Sequence, residues 1–452
     1  VIVTSASLAA IIQRSSKATS FYSIALEVTR RLCGFDKPSM DIIFHNINGE
    51  DKDEGLMPES HDMVARMLGP GPILNGLAQE QLAIFSKSLK SLSPGTEETA
   101  VDLYAWVKDI FTIANARSIY GPENFFSLNP ELVKDFWAYE EQMIPILADF
   151  FPKLTARKPY FARQRVLDGM TEYIEKERYK KASLLIQQRV AINLKHGLSK
   201  EMSGHAELIM FFAVVGNAVP TTFWLLANLF SRPEILTEVR EEIEKAVTIT
   251  SSEDKGLLET RTIHVETFKS CAPVLLSTYR ETLRIVANLS SVRKVLSDTL
   301  IADKYLLRKD SIVQIASGLI HTDPSIWGSD AAEFNPRRFI TTTSESSFSR
   351  AQVTEKTATV PLPPNVPSAA FRAFGGGSVI CPGRHFAQTE IVGFVAAVVM
   401  GFDLEKEGGG TIEVPERDDG KIPIAVMKPK TKCRVLIRRR KALEQVKWEL
   451  EL

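Results

Sequence analysis

Cysteine is scarce in this chain: Cys33, Cys271, Cys381 and Cys433 are the only four in 452 residues, and no two form a C-x-x-C pair. That spacing argues against a zinc ribbon, a thioredoxin-type motif or a disulfide scaffold, and favours a reducing compartment. Net charge is missing too. Lys plus Arg and Asp plus Glu both number 55, so no global field draws the protein toward nucleic acid. There is no internal repeat, and no basic-then-apolar leader follows Val1. A charge-free apolar run long enough to cross a bilayer occurs at Leu208 to Phe230. Asn217 and Pro220 interrupt it and Glu207 and Arg232 flank it, which favours a helix buried inside a large helical protein. With 44% hydrophobic residues the chain can fill such a core.

Apolar periodicity predicts helices at Ser5 to Gln13, Gln79 to Leu92, Glu97 to Ser118, Pro130 to Leu147, Tyr160 to Lys195, Glu207 to Phe230 and Pro233 to Ala246. Another is predicted from Thr267 to about Val286, and a last one over His385 to Val399. Short strands are expected at Val1 to Ser5, Ser291 to Leu296, Lys304 to Leu307, Ser311 to Ala316, Ile422 to Met427 and Cys433 to Arg438. The fold class is therefore mainly α with a small β lobe. Leu68-Gly69-Pro70-Gly71-Pro72 reads as a loop and candidate lid, and Thr341 to Pro367 as irregular surface chain.

The chemistry gathers at Phe374-Gly375-Gly376-Gly377-Ser378-Val379-Ile380-Cys381-Pro382-Gly383-Arg384. Glycines here permit positive φ and close approach to a flat ligand, and free amide N–H groups can point at the sulfur. Those donors and the following helix N-terminus are expected to favour a thiolate. An isolated cysteine is most often a small buried hydrophobe, the reading that suits Cys33, Cys271 and Cys433. Cys381 differs, because its surroundings resemble the cytochrome P450 signature F-x-x-G-x-[RH]-x-C-x-G at Phe374, Gly377, Cys381 and Gly383. The resemblance implies haem b with iron ligated by Cys381, held between a long central helix and the Cys loop of a cytochrome P450 fold. The sequence departs from the family at Val379, where an Arg or His usually meets a haem propionate. Arg384 is one candidate for that duty.

Glu281-Thr282-Leu283-Arg284 matches the family's E-x-x-R element, and Pro336-Arg337-Arg338-Phe339 its P-x-R-F element. Residues three apart on a helix share a face, so the resemblance implies a structural triad of Glu281, Arg284 and Arg338. Arg293 stands where the family sends an Arg from a strand to a propionate and is preferred to Arg384. No Trp lies in Gln79 to Leu92, so the family's W-x-x-x-R pattern is absent there, with Lys87 a weak stand-in. His205, His321 and His385 offer no rival iron ligand in a comparable context.

The central helix lacks the usual [AG]-G-x-[DE]-T. Gly216 takes the acid's place and Asn217 the threonine's, in a Gly-Asn-x-x-Pro pattern that resembles the prostacyclin synthase and bile-acid sterol hydroxylase branch and its fungal relatives. That branch implies two chemistries. The first is monooxygenation of a lipophilic terpenoid, sterol or other natural product, with O2 and electrons from NADPH through a cytochrome P450 reductase. The second is isomerisation or dehydration without O2 or NADPH, and a non-catalytic haem sensor is a third reading. Catalytic roles fall to Asn217 and Gly216. Phe212, Val215, Ala287, Asn288, Leu289, Val426 and Met427, with the loop from Asn46 to Gly71, are expected to line the pocket. Residues 1 to 452 read as one catalytic domain, expected to be a monomer. A membrane anchor and first helix are expected ahead of Val1, which kinship would place on the cytoplasmic face of the endoplasmic reticulum.

Overall fold

The computed structural model describes residues 1–47, 49, 54–90, 99–251, 259–340, 362–420 and 425–452. Its axis is one helix, Lys200–Phe230, begun by the Ser199 side chain accepting from the Met202 N–H and mostly buried along its length. The stretch judged too interrupted for a membrane span is thus a core helix. Pro220 lies inside it without breaking it: the missing N–H leaves one carbonyl unbonded a turn earlier, while Thr221 and Thr222 bond back to the carbonyls of Asn217 and Ala218 at 2.7 and 2.8 Å.

Helices Pro72–Lys90, Leu103–Tyr120 and Arg384–Gly401 meet in an aromatic cluster beside this axis. Phe394 packs against Phe85 and Phe111 with ring centroids 5.0 and 5.2 Å apart. Burying each such ring contributes about 2 kcal/mol. A second, smaller core joins Ala9 and Ile12 of helix Ala6–Arg14 to Val313, Ile315, Trp327 and Phe339.

The strands form small separate sheets. Ser290–Val295 lies antiparallel to Ile312–Ala316, whose far edge takes Ile2–Val3 in parallel. Phe402–Lys406, Arg434–Arg439 and Thr99–Asp102 make a second sheet. Val446–Glu451 pairs in parallel with Glu259–His264 in a third.

Several sequence expectations change, among them Pro130 to Leu147, which is two helices, Glu131–Glu140 and Met143–Ala148. The helix placed over Glu97 to Ser118 begins as a strand, because β-branched Thr99 and Val101 pair with Arg434–Ile437 before Asp102 caps the helix through the Tyr104 N–H. Tyr160 to Lys195 is two helices, Arg157–Glu175 and Leu184–Lys195, parted where Glu177 adopts a left-handed φ of 57°. Of the strand expected over Ile422 to Met427, only the last three residues are described. Residues 421–424 lie outside the described chain, and Ala425–Met427 is a bend whose N–H and C=O groups bond to helices. Most of Thr341 to Pro367 also lies outside the described residues.

Candidate functional site

Cys381 sits in a loop closed by its own backbone. The Cys381 N–H donates to the Phe374 carbonyl at 2.9 Å, and the Gly375 N–H to that of Arg372 at 2.9 Å. Gly375 and Gly377 take φ of 76° and 68°, which a side chain would strain. At Gly376 the constraint is space: an added Cβ would stand 2.7 Å from Gln13 Nε2. The loop thus lies flat against helix Ala6–Arg14. Phe374 is partly buried against the core, and Gly377 is exposed.

The Cys381 sulfur is solvent-accessible, and the Gly383 and Arg384 amides point toward it. Burial of its surroundings nonetheless outweighs those donors and raises the thiol pKa above the ordinary value. Coordination to a bound metal cation would itself displace the proton. The Arg384 guanidinium turns back to bond the Cys381 carbonyl at 3.0 Å, capping the loop.

The helix Arg384–Gly401 packs on the central helix. At mid-length the latter exposes Ala213 and half-exposes Val214 and Asn217, an accessible stripe on an otherwise buried helix. Phe212, Val215 and Gly216 are buried instead, with the Phe212 ring lying over Gly216, where an added Cβ would meet it at 2.8 Å. Asn217 Oδ1 accepts from the Val426 N–H at 3.0 Å. Trp224 Nε1 donates to the Met427 carbonyl at 2.7 Å, and the Met427 N–H to that of Val286 at 3.0 Å. Three segments are thereby joined: the central helix at Asn217, the expected pocket residues Val426–Met427, and the chain after Val286, where Ala287 is buried and Asn288 and Leu289 are half-buried.

Behind the loop, Glu281 and Arg284 are fully buried and paired by two bonds of 2.7 Å. Arg338 Nε reaches both Glu281 oxygens at 3.1 and 3.2 Å and also holds Asp330. Arg293 is buried on its strand, and its side chain makes no hydrogen bond or ion pair among the described residues.

Some expectations fail here. Lys87 is exposed near the end of its helix. Closer to the Cys loop lies Leu68, just beyond helix Leu56–Met67: a Cβ on Gly383 would stand 3.8 Å from its side chain. Leu68 is buried, so the Gly-Pro loop it opens is packed at that end.

Two buried groups escaped sequence reasoning. Arg372 is as solitary as Arg293, and its only signal was a basic residue two places before Phe374. Glu390, nine residues after Cys381, accepts from Gln81 Nε2 at 3.2 Å and Asn115 Nδ2 at 3.0 Å. Burial pushes its carboxyl up to about 8. A carboxyl raised in the folded state stabilises fully below its unfolded value near 4.5 and loses that contribution as pH rises through about 8. Wild type should therefore lose up to about 1 kcal/mol per pH unit between these limits relative to Glu390→Gln. Urea midpoints at several pH values check this, and parallel curves would refute it.

An accessible thiol ringed by amides, two solitary guanidiniums that call for carboxylates, and an open stripe on the helix alongside suit a dicarboxylate porphyrin whose iron takes a sulfur ligand. The fold and site define the haem-thiolate class.

The sequence comparisons agree. The family model of cytochrome P450 matches residues 84–435, and the chain belongs to that family. It is a haem-thiolate monooxygenase, an oxidoreductase. It is 29% identical to the cytochrome P450 monooxygenase nodJ of Hypoxylon pulicicidum, over 100% of this chain and 83% of the relative. It is 31% identical to the 5-beta-cholestane-3-alpha,7-alpha-diol 12-alpha-hydroxylase of Sus scrofa, over 54% of this chain and 47% of that one. Retinoic acid bound cyanobacterial CYP120A1 shares the fold, with a TM-score of 0.62, 20% identity, and coverage of 86% of this chain and 80% of the other.

Proposed function

We propose that Cys381 ligates the haem iron and that the enzyme oxidises a lipophilic terpenoid, sterol or similar natural product, using O2 and NADPH electrons relayed by a cytochrome P450 reductase. The observation that carries this is the accessible Cys381 sulfur in a loop whose following helix packs on the central helix, which itself keeps an accessible stripe at mid-length. When bound, the haem supplies oxygen binding and O–O cleavage, favoured by electron donation from sulfur.

The chain's own residues do the rest. Arg284 and Arg338 anchor the segment behind the loop through Glu281. Asn217 has its oxygen committed to Val426, so its amino group is the end left to hold a water or a substrate oxygen. Gly216 makes room for Phe212 and brings no acid, which assigns proton delivery to water held at Asn217. Strands from both chain ends pair with internal ones, which supports reading residues 1 to 452 as one domain.

An isomerase or dehydratase built on the same fold would need neither electrons nor O2. Incubation with a terpenoid and sterol panel, with and without reductase, NADPH and O2, separates the two. Product requiring all three and carrying label from ¹⁸O2 is expected. Equal turnover without electrons or O2 would sink the oxygenase reading.

Membrane association, at the cytoplasmic face of the endoplasmic reticulum, also forms part of the proposal. Phe150, Phe151, Leu154 and Phe161 are exposed at 68, 67, 81 and 44%, with exposed Lys153, Arg157 and Lys158 among them. Apolar side chains set among cations match the surface of an anionic bilayer. The protein should sediment with phosphatidylserine-containing vesicles, and Phe150→Asp/Leu154→Asp should reduce this severalfold. Unchanged sedimentation would count against the patch.

A further inference from the structure

We propose that Arg372 binds one haem propionate in place of the basic residue the family signature carries at the position of Val379, with Arg293 taking the other propionate and Gln13 donating beside them. This rests on the haem-thiolate reading of Cys381 and adds to it the residues that hold the opposite edge of the cofactor.

Five arginines among the described residues are buried: Arg163, Arg284, Arg293, Arg372 and Arg439. Arg284 pairs with Glu281, and Arg163 and Arg439 donate to backbone carbonyls. Arg293 and Arg372, 1% and 3% exposed, make no side-chain hydrogen bond, ion pair or ring contact among the described residues. An uncompensated buried charge is strongly unfavourable, and two together are worse. They are close enough to act on each other: burial first, and Arg293 second, push the Arg372 guanidinium down to about 10. No carboxylate among the described residues answers them, and a ligand carrying two acids would supply the counter-charge.

The surroundings say where that ligand lies. Arg372 is tied into the base of the Cys loop, its N–H donating to His321 Nε2 at 2.8 Å and its carbonyl accepting from Gly375. Burial, with Arg284 and Arg372 nearby, pushes His321 down to about 3, so its ring is a neutral acceptor. Gln13 is 7% exposed, its Nε2 is unpartnered, and Gly376 is the glycine that lets it approach. Three unanswered donors from a helix, a strand and the loop's base thus flank the cysteine loop. A guanidinium binds a carboxylate through two parallel N–H bonds, which a shorter residue at 379 cannot supply.

The test is transfer of haem from the holoenzyme to excess apomyoglobin, with the reduced carbon-monoxide spectrum confirming sulfur ligation at the start. Arg372→Gln should release haem about tenfold to a hundredfold faster than wild type. Arg372→Lys should fall between, and Val379→Arg placed in the Arg372→Gln background should recover most of the loss. If Arg372→Gln yields no holoenzyme, recovery of holoenzyme by Val379→Arg gives the same answer, and failure to recover it overturns the proposal. Release at the wild-type rate also overturns it. So does equal loss in the Gln and Lys variants that Val379→Arg leaves uncorrected while unfolding midpoints fall in step, which marks a structural arginine. A wild type that binds no haem would instead refute the reading of Cys381.

Discussion

Cys381→Ser is expected to abolish the thiolate-type reduced carbon-monoxide spectrum and bring oxygenation to background, leaving the fold in place. The reason is chemical. A serine hydroxyl does not donate to iron as a thiolate does, so the electron push that favours O–O cleavage is lost. The fold should survive because the side chain is exposed and makes no hydrogen bond that ties other elements together; the loop closes through backbone bonds from Cys381 N–H and Gly375 N–H. Circular dichroism should be unchanged. Cys271→Ser, a half-buried control far from the loop in sequence, should keep both spectrum and activity. A serine variant with the wild-type optical signature would remove the basis of the site assignment.

Glu281→Gln should be the most destabilising single change near the site, by about 3–5 kcal/mol. Among the described residues Glu281 is the only carboxylate bonded to Arg284, both fully buried, whereas Arg338 keeps Asp330. The neutral amide leaves the Arg284 charge buried with carbonyl partners alone. Since a domain of ordinary stability has about 5–15 kcal/mol in hand, little holoenzyme should accumulate. Arg337, adjacent to Arg338, supplies the contrast. Its ion pair with Glu238 is exposed, so Arg337→Ala should cost less than about 1 kcal/mol. Urea unfolding of the three proteins decides: comparable losses in the two variants would contradict a buried triad.

Which parts were legible follows from what each depends on. The Cys loop could be read because its constraints are local: consecutive glycines, a cysteine and a helix start fall within eleven residues. The Glu281–Arg284 pair could be read because three-residue spacing puts both on one helix face. The strand Thr99–Asp102 could not, since its partner Arg434–Ile437 is distant in sequence and only pairing separates such a strand from a helix start. Glu390 looked like any polar residue on a helix. What makes it unusual is Gln81 and Asn115 arriving from two other helices and sealing it from water.

By itself, the sequence determined the chemistry available: one cysteine in a glycine turn, a helix without the usual acid and threonine, and charged motifs in a recognisable order. Tertiary structure alone decided which charges are answered and which are not. Arg337 stays in solvent, Asn217 gives its oxygen to Val426, and Arg293 and Arg372 face no acid among the described residues. The physical reason is that the cost of a charge depends on its surroundings in space, and burial by remote segments has no imprint on the residues nearby in the chain.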